Sequence, residues 1–271
     1  MRWRGLGLAA VSALLVSAAP APAPLSLWRL DCGSIAIKNL SVFSDTFLYA
    51  GEQKTLTASC YLIRNGDKLL LWDTGLDGAL IGKPQTDDFG TSSLRERVVP
   101  QLARIGVKPA DVIFVGISHY HDDHTGQAAD FPGATLLIGK ADYAVVKQWP
   151  SAAKRFAHWL TGGGKVEEVA GDKDVFGDGR VTILAMPGHT EGHQALLVQL
   201  ASGPVLLSGD QYHFTEQVAN RGVPTFNTDR AQTLASMDRF ERIAANLKAK
   251  VIIQHEPGDI ARLPAFPEAA Q

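Results

Sequence analysis

The chain has 271 residues, 45% apolar and 20% charged, with 28 acidic against 26 basic side chains and a formal charge of −2. This composition excludes disordered, collagen-like and multipass membrane chains, and the near-neutral balance offers no basic face for nucleic acid. The length suits one large domain or two small ones, and 26 glycines with 14 prolines point to many turns.

At the N-terminus, Arg2 and Arg4 precede an apolar stretch at 6–16, small residues at 17–19 and an Ala/Pro run to Pro24. A run shorter than the roughly 20 residues of a spanning helix reads as a secretory signal. Residues 1–24 are therefore expected to be a signal peptide with an Ala/Pro segment, and the protein to be exported, periplasmic or secreted. An uncleaved N-terminal anchor is the alternative. After removal of the signal no stable membrane insertion is expected. Export makes the cysteines informative: Cys32 and Cys60 either pair in an oxidising compartment or remain buried thiols.

Strand-like runs follow at 34–43, 58–64, 68–72, 112–117, 135–139, 166–169, 181–185, 194–200, 205–207 and 251–253. Asn65-Gly66 between two of them signals a hairpin, and Asp178-Gly179 is a weaker second signal. Ser92 or Ser93 can cap a helix with Leu94, Val98, Leu102 and Ile105 on one face, in which Pro100 is a candidate kink. Further helices are expected at 140–149 and 152–160. Thr228 can cap another, with Ala231, Leu234, Met237 or Asp238, Ile243 and Leu247 along its face. Hairpins first and helices interspersed later predict an α+β chain. Two mixed β-sheets pack face to face with helices outside, in a single domain over 25–271.

The chemistry concentrates in Ser118-His119-Tyr120-His121-Asp122-Asp123-His124-Thr125-Gly126, directly after an apolar strand. Two-residue spacing puts His119 and His121 on one side of an extended backbone, and the turn at Asp122 aims Asp123 and His124 at a second point. Three imidazoles and a carboxylate suit zinc, manganese, iron or cobalt. Six residues cannot complete such sites, and the chain offers more donors. His189 in Pro187-Gly188-His189-Thr190-Glu191-Gly192-His193, Asp210 in Leu207-Ser208-Gly209-Asp210 and His255 in Ile253-Gln254-His255 each sit just past a strand. His193 is read as structural or supporting. Asp73 in Trp72-Asp73-Thr74-Gly75 is either a support for the metal loop or a plain turn.

In order and spacing these segments resemble the signature of the metallo-β-lactamase superfamily, whose αββα sandwich carries a binuclear site on one edge. The resemblance implies that His119, His121 and His189 bind one metal. It gives Asp123, His124 and His255 to a second, with Asp210 bridging both. Two Zn2+ are expected, with Mn, Co or Fe as substitutes. The bridging Asp210 departs from the β-lactamases proper. Glyoxalase II shares the donor set but carries a helical glutathione-gripping domain, for which the residues after His255 leave no room, and a family nuclease would want a basic surface.

The remaining likeness is to secreted quorum-quenching N-acyl homoserine lactonases, carried by Leu30-Asp31-Cys32-Gly33, Phe43-Ser44-Asp45-Thr46, Cys60-Tyr61-Leu62-Ile63-Arg64 and Leu71-Trp72-Asp73-Thr74-Gly75. It implies a metal-dependent hydrolase that opens the lactone ring by attack of a metal-bridging hydroxide, with Asp123 as proton shuttle. The family tyrosine three residues beyond the bridging aspartate is here His213, with Tyr212 beside it, so either is the candidate donor to the substrate carbonyl. Phe43, Phe47, Tyr49, Phe89, Phe214 and Phe226 are candidates for an acyl-chain groove or for ordinary packing. The partner is a small-molecule lactone, no nucleic acid is expected, and a homodimer is left open. The alternatives are another hydrolase of the fold, acting on phosphotriesters or general esters, and a metal-binding protein without turnover.

Overall fold

The computed structural model describes Met1 and residues 23–271; the apolar stretch expected to be a signal lies outside the described residues. Among the described residues thirteen strands form two sheets. The strands are β1 Leu25–Ile37, β2 Lys54–Asn65, β3 Lys68–Trp72, β4 Gln85–Thr86, β5 Gly90–Ser93, β6 Phe114–Gly116, β7 Thr135–Gly139, β8 Val166–Val169, β9 Lys173–Asp174, β10 Val181–Ala185, β11 Gln194–Leu200, β12 Gly203–Leu207 and β13 Lys250–Ile252. The helices are α1 Val98–Arg104, α2 Asp122–Thr125, α3 Lys140–Val146, α4 Pro150–Leu160, α5 Thr215–Asn220, α6 Arg230–Leu247 and α7 Pro257–Ile260. The first sheet runs β4-β5-β1-β2-β3-β6-β7-β8 and the second β13-β12-β11-β10-β9. Each mixes parallel and antiparallel pairs, as the hairpins-then-helices order predicts.

Burial on two faces explains why the strands read as continuous apolar runs. In β3, Leu70 and Trp72 face the second sheet, where they meet Val181, Ile183, Leu196, Val198 and Leu207. Leu69 and Leu71 face the other way, toward Val98, Leu102, Phe156 and Trp159 on α1 and α4. On the second sheet, Leu184, Ala195, Leu197 and Leu206 pack against Met237 and Phe240 of α6. Among the described residues no helix is long and apolar enough to cross a membrane.

Some expected elements shift. The first strand starts at Leu25 rather than residue 34, and 40–43 is a 3-10 turn capped by Asn39, whose Oδ1 accepts the N–H of Ser41. Ser92 and Ser93 cap no helix. They belong to β5, paired with Ile35 and Ser34 of β1. The helix begins only at Val98, so Pro100 sits in its first turn, where no N–H is needed, and makes no kink. Asp229 rather than Thr228 caps α6, and the buried face is Thr233, Ser236, Met237 and Phe240, whereas Ala231 and Leu247 are exposed. The small polar pair wins because α6 docks on the Pro187–His189 segment: Ser236 Oγ donates to the Pro187 carbonyl at 2.7 Å.

Cys32 and Cys60 are joined across the adjacent strands β1 and β2, with no exposed surface. The closed loop contributes on the order of 3 kcal/mol in a chain-entropy account. Cys32 lies under the Asp73–Leu76 turn, where the Leu76 N–H donates to the Cys32 carbonyl. Gly75 is required there: its φ is +67°, and a Cβ would come within 2.4 Å of the Cys32 Cβ.

Candidate metal centre

β3 and β6 run parallel in one sheet, and β10, β12 and β13 point the same way in the other, so five strand C-termini converge on one edge. The residues just past them are Asp73, His119, His189, Asp210 and His255. The seven metal-ligand candidates fall into two groups, His119–His121–His189–Asp210 and Asp123–His124–His255, with donor atoms inside each group all within 4.8 Å of one another.

In the first group, His119 Nε2, His121 Nδ1 and His189 Nε2 lie 2.9 to 3.1 Å apart. In the second, the Nε2 atoms of His124 and His255 face each other at 3.2 Å. Their outer nitrogens fix the tautomers. His189 Nδ1 donates to Asn227 Oδ1 at 2.9 Å, His124 Nδ1 to Asp73 Oδ2 at 2.9 Å, and His255 Nδ1 to the Thr57 carbonyl at 2.8 Å. In the neutral ring each inner nitrogen of these three presents a lone pair. Asp210 adds Oδ1 at 3.1 Å from His124 Nε2 and 3.0 Å from His255 Nε2, buried and without a hydrogen-bond donor.

Lone pairs and a carboxylate aimed at common points repel unless a cation lies among them. The imidazole and carboxylate donors suit a divalent ion of the zinc type.

The electrostatics divide the donors: burial keeps His119 and His189 neutral, whereas the nearby carboxylates favour a proton on His124 and His255, one that a bound cation would displace. Burial pushes His119 and His189 well below the ordinary histidine value. Burial also acts against His124, but the Asp210, Asp123 and Asp73 carboxylates lift it well above that value. Asp210 is itself held well below the usual carboxylate range, because His255, His124, His119 and His213 outweigh the cost of burial.

The support around these groups was only partly visible in the sequence. Asp73 accepts from the Ser118 N–H at 2.7 Å as well as from His124, so it is a support and not a plain turn. Gln254 escaped notice. Its Nε2 donates to Asp73 Oδ2 at 2.9 Å, while its Oε1 accepts from the Gly209 N–H at 3.0 Å and from Trp72 Nε1 at 3.2 Å. The available signal was a glutamine closing a buried apolar run. His193 accepts the Asp210 N–H on Nε2 at 2.8 Å and donates from Nδ1 to the Met186 carbonyl, fixing the backbone that carries Asp210.

A cavity of about 400 Å³ opens over the site, lined by Asp123, Asp210, His213 and His255 and walled by Phe43, Phe89 and Phe226. Of the other groove candidates, Phe214 is core, Tyr49 packs on Phe214, and Phe47 is 92% exposed outside the cavity lining. His213 lies in the wall, its Nε2 3.1 Å from Asp210 Oδ2, its Nδ1 buried without a partner and its ring stacked on His255. Tyr212 does not join the site. It points into the α6 interface, where its hydroxyl donates to Glu241 Oε1 at 2.6 Å, because successive side chains of the extended backbone at Tyr212 face opposite ways.

Two facing sheets with histidines and aspartates gathered at one edge define a metal-dependent class, and sequence comparison agrees. Residues 54–255 match the metallo-beta-lactamase superfamily, and the chain belongs to it. It is similar to the N-acyl homoserine lactonase AttM of Azorhizobium caulinodans, 31% identical over 178 residues, 60% of this chain and 65% of that protein, so just under two thirds of that relative is spanned. It is also 27% identical over 251 residues to an N-acyl homoserine lactonase of a Bacillus species, covering 89% of this chain and 97% of that one. A solved N-acyl homoserine lactone hydrolase, with N-hexanoyl-L-homoserine at its catalytic metal centre, shares the fold at a TM-score of 0.78 and 23% identity, over 91% of this chain and 99% of that one.

Proposed function

We propose that this protein is an exported, zinc-dependent N-acyl homoserine lactonase. The observation that carries the reading is the pairing of the two donor groups with an aromatic-walled cavity directly above them. Similarity to lactonases across nearly the whole chain supports the substrate class. The Cys32–Cys60 bond supports export, since such bonds persist in oxidising compartments.

His119, His121 and His189 would hold one ion and Asp123, His124 and His255 the other, with Asp210 between them. Two ions there supply a nucleophilic water at neutral pH and draw charge from a carbonyl oxygen.

The remaining steps belong to the chain's own residues. Asp123, partly exposed at the cavity floor, takes the proton released as water adds to the lactone carbonyl. It returns that proton to the ring oxygen when the C–O bond breaks, so the product is the open hydroxy acid and no co-reactant is consumed. His213 donates a hydrogen bond to the oxygen that gains charge. Phe43, Phe89 and Phe226 take the acyl chain and keep bulk water from the carbonyl.

Mass spectrometry of an N-acyl homoserine lactone incubated with the zinc-loaded protein should show gain of one water, abolished by chelator. An unchanged lactone would overturn the substrate assignment.

A further inference from the structure

One buried carboxylate near the site has no part in the steps above. Asp142, in α3, has no exposed surface. Its Oδ2 accepts from Thr190 Oγ1 at 2.8 Å and its Oδ1 from the Gly192 N–H at 2.6 Å. The backbone amide of Tyr120 also faces it. Thr190 follows His189, and Tyr120 stands between His119 and His121. The loop of His189 is thus tied to this carboxylate by two hydrogen bonds, and the loop of His119 and His121 approaches it at Tyr120.

The contact is built for closeness. A Cβ at Gly192 would fall 2.8 Å from the Asp142 Cγ, so only glycine lets the His189 loop seat against α3. Burial pushes the Asp142 carboxyl up to about 7, against the hydrogen bonds from Thr190 and Gly192. A carboxyl kept in so unfavourable a place without touching the cavity points to a role exerted through its partners.

We propose that Asp142 is a positioning residue, setting the spacing of the loops that carry His119, His121 and His189 to suit a metal ion. This rests on the metal-hydrolase reading above but not on the identity of the substrate. An isosteric Asp142→Asn keeps one acceptor and turns an N–H2 toward the donor of Thr190 or Gly192, so one tie is lost. Thr190→Val removes one tie from the other side, and Thr190→Ser keeps it.

The test is cobalt(II) binding to the full chain, read by the visible absorption of the bound ion and by metal content. Asp142→Asn and Thr190→Val should each weaken uptake at the three-histidine group by about 10–100-fold, as for other residues that orient ligands. Thr190→Ser should stay within about threefold of wild type on the same grounds. Should Asp142→Asn fail to fold, Thr190→Val against Thr190→Ser decides. Wild-type affinity and spectrum in folded Asp142→Asn or in Thr190→Val would overturn the proposal, as would a lowered melting temperature of the metal-free chain with unchanged cobalt affinity. A wild-type chain that takes up one ion contradicts the two-ion reading alone; the ratio of variant to wild-type affinity tests Asp142 in either case.

Discussion

Asp73 Oδ2 lies 2.9 Å from Nδ1 of His124, and this contact fixes the ring so that its other nitrogen faces His255 Nε2 at 3.2 Å. Asp73 holds a left-handed backbone, φ +59°, a region aspartate enters more readily than most residues. Asn at position 73 would keep one acceptor while losing the charge that favours this tautomer. Asp73→Asn should lower zinc affinity by about 10–100-fold, measured by competition with a chromogenic chelator. Unchanged affinity would show that Ser118 and Gln254 suffice to hold the loop.

Asp210 reaches both donor groups, with Oδ2 3.4 Å from His189 Nε2 and Oδ1 3.0 Å from His255 Nε2. Asp210→Asn removes the charge shared between them. Metal content by mass spectrometry should fall below that of wild type, and lactone turnover should drop sharply. Full occupancy with full activity would contradict a shared carboxylate.

His213 has one ring nitrogen without a partner in the cavity wall. His213→Phe should leave metal content near wild type and lower kcat by about 10²–10³, the usual effect of deleting an oxyanion donor. A rise in KM with kcat unchanged would place His213 in substrate binding instead. Tyr212→Phe is the counterpart. It removes the hydrogen bond to Glu241, should cost about 1 kcal/mol of stability, and should leave kcat and KM unchanged.

The buried Asp142 gives a pH dependence with a definite sign. Its carboxyl is raised to about 7 by burial, so the folded chain holds that proton over a range where the unfolded chain has released it. The contribution is complete below the unfolded-state value near 4 and is lost as pH rises through about 7. Asp142→Asn does not titrate. The stability of the metal-free variant relative to wild type should therefore rise between pH 5 and 7, by at most about 1.4 kcal/mol per pH unit. A difference that is flat with pH, measured by thermal melts, would contradict this.

The fold was legible where burial on two faces left continuous apolar runs: β3, β7, β10 and β11 fall where the sequence places them. It was illegible where tertiary contacts decide. Ser92 and Ser93 carry a helix-cap signal, yet pairing with Ser34 and Ile35 makes them a strand. The α6 face followed Thr233 and Ser236 because they meet the His189 loop, which no periodicity reports. At the site, histidine and aspartate spacing announced the donors, whereas Gln254 and Asp142 act through contacts 181 and 48 to 50 residues away in sequence and carry no local pattern.

The most direct measurement is pH-stat hydrolysis of short- and long-chain N-acyl homoserine lactones by the zinc-reconstituted protein, with paraoxon, nitrocefin and a thioester alongside. The account predicts lactone turnover with kcat/KM above about 10⁴ M⁻¹s⁻¹, lost on chelation and restored by zinc. Intact lactones beside turnover of another substrate would contradict the lactonase assignment and leave the metal centre standing.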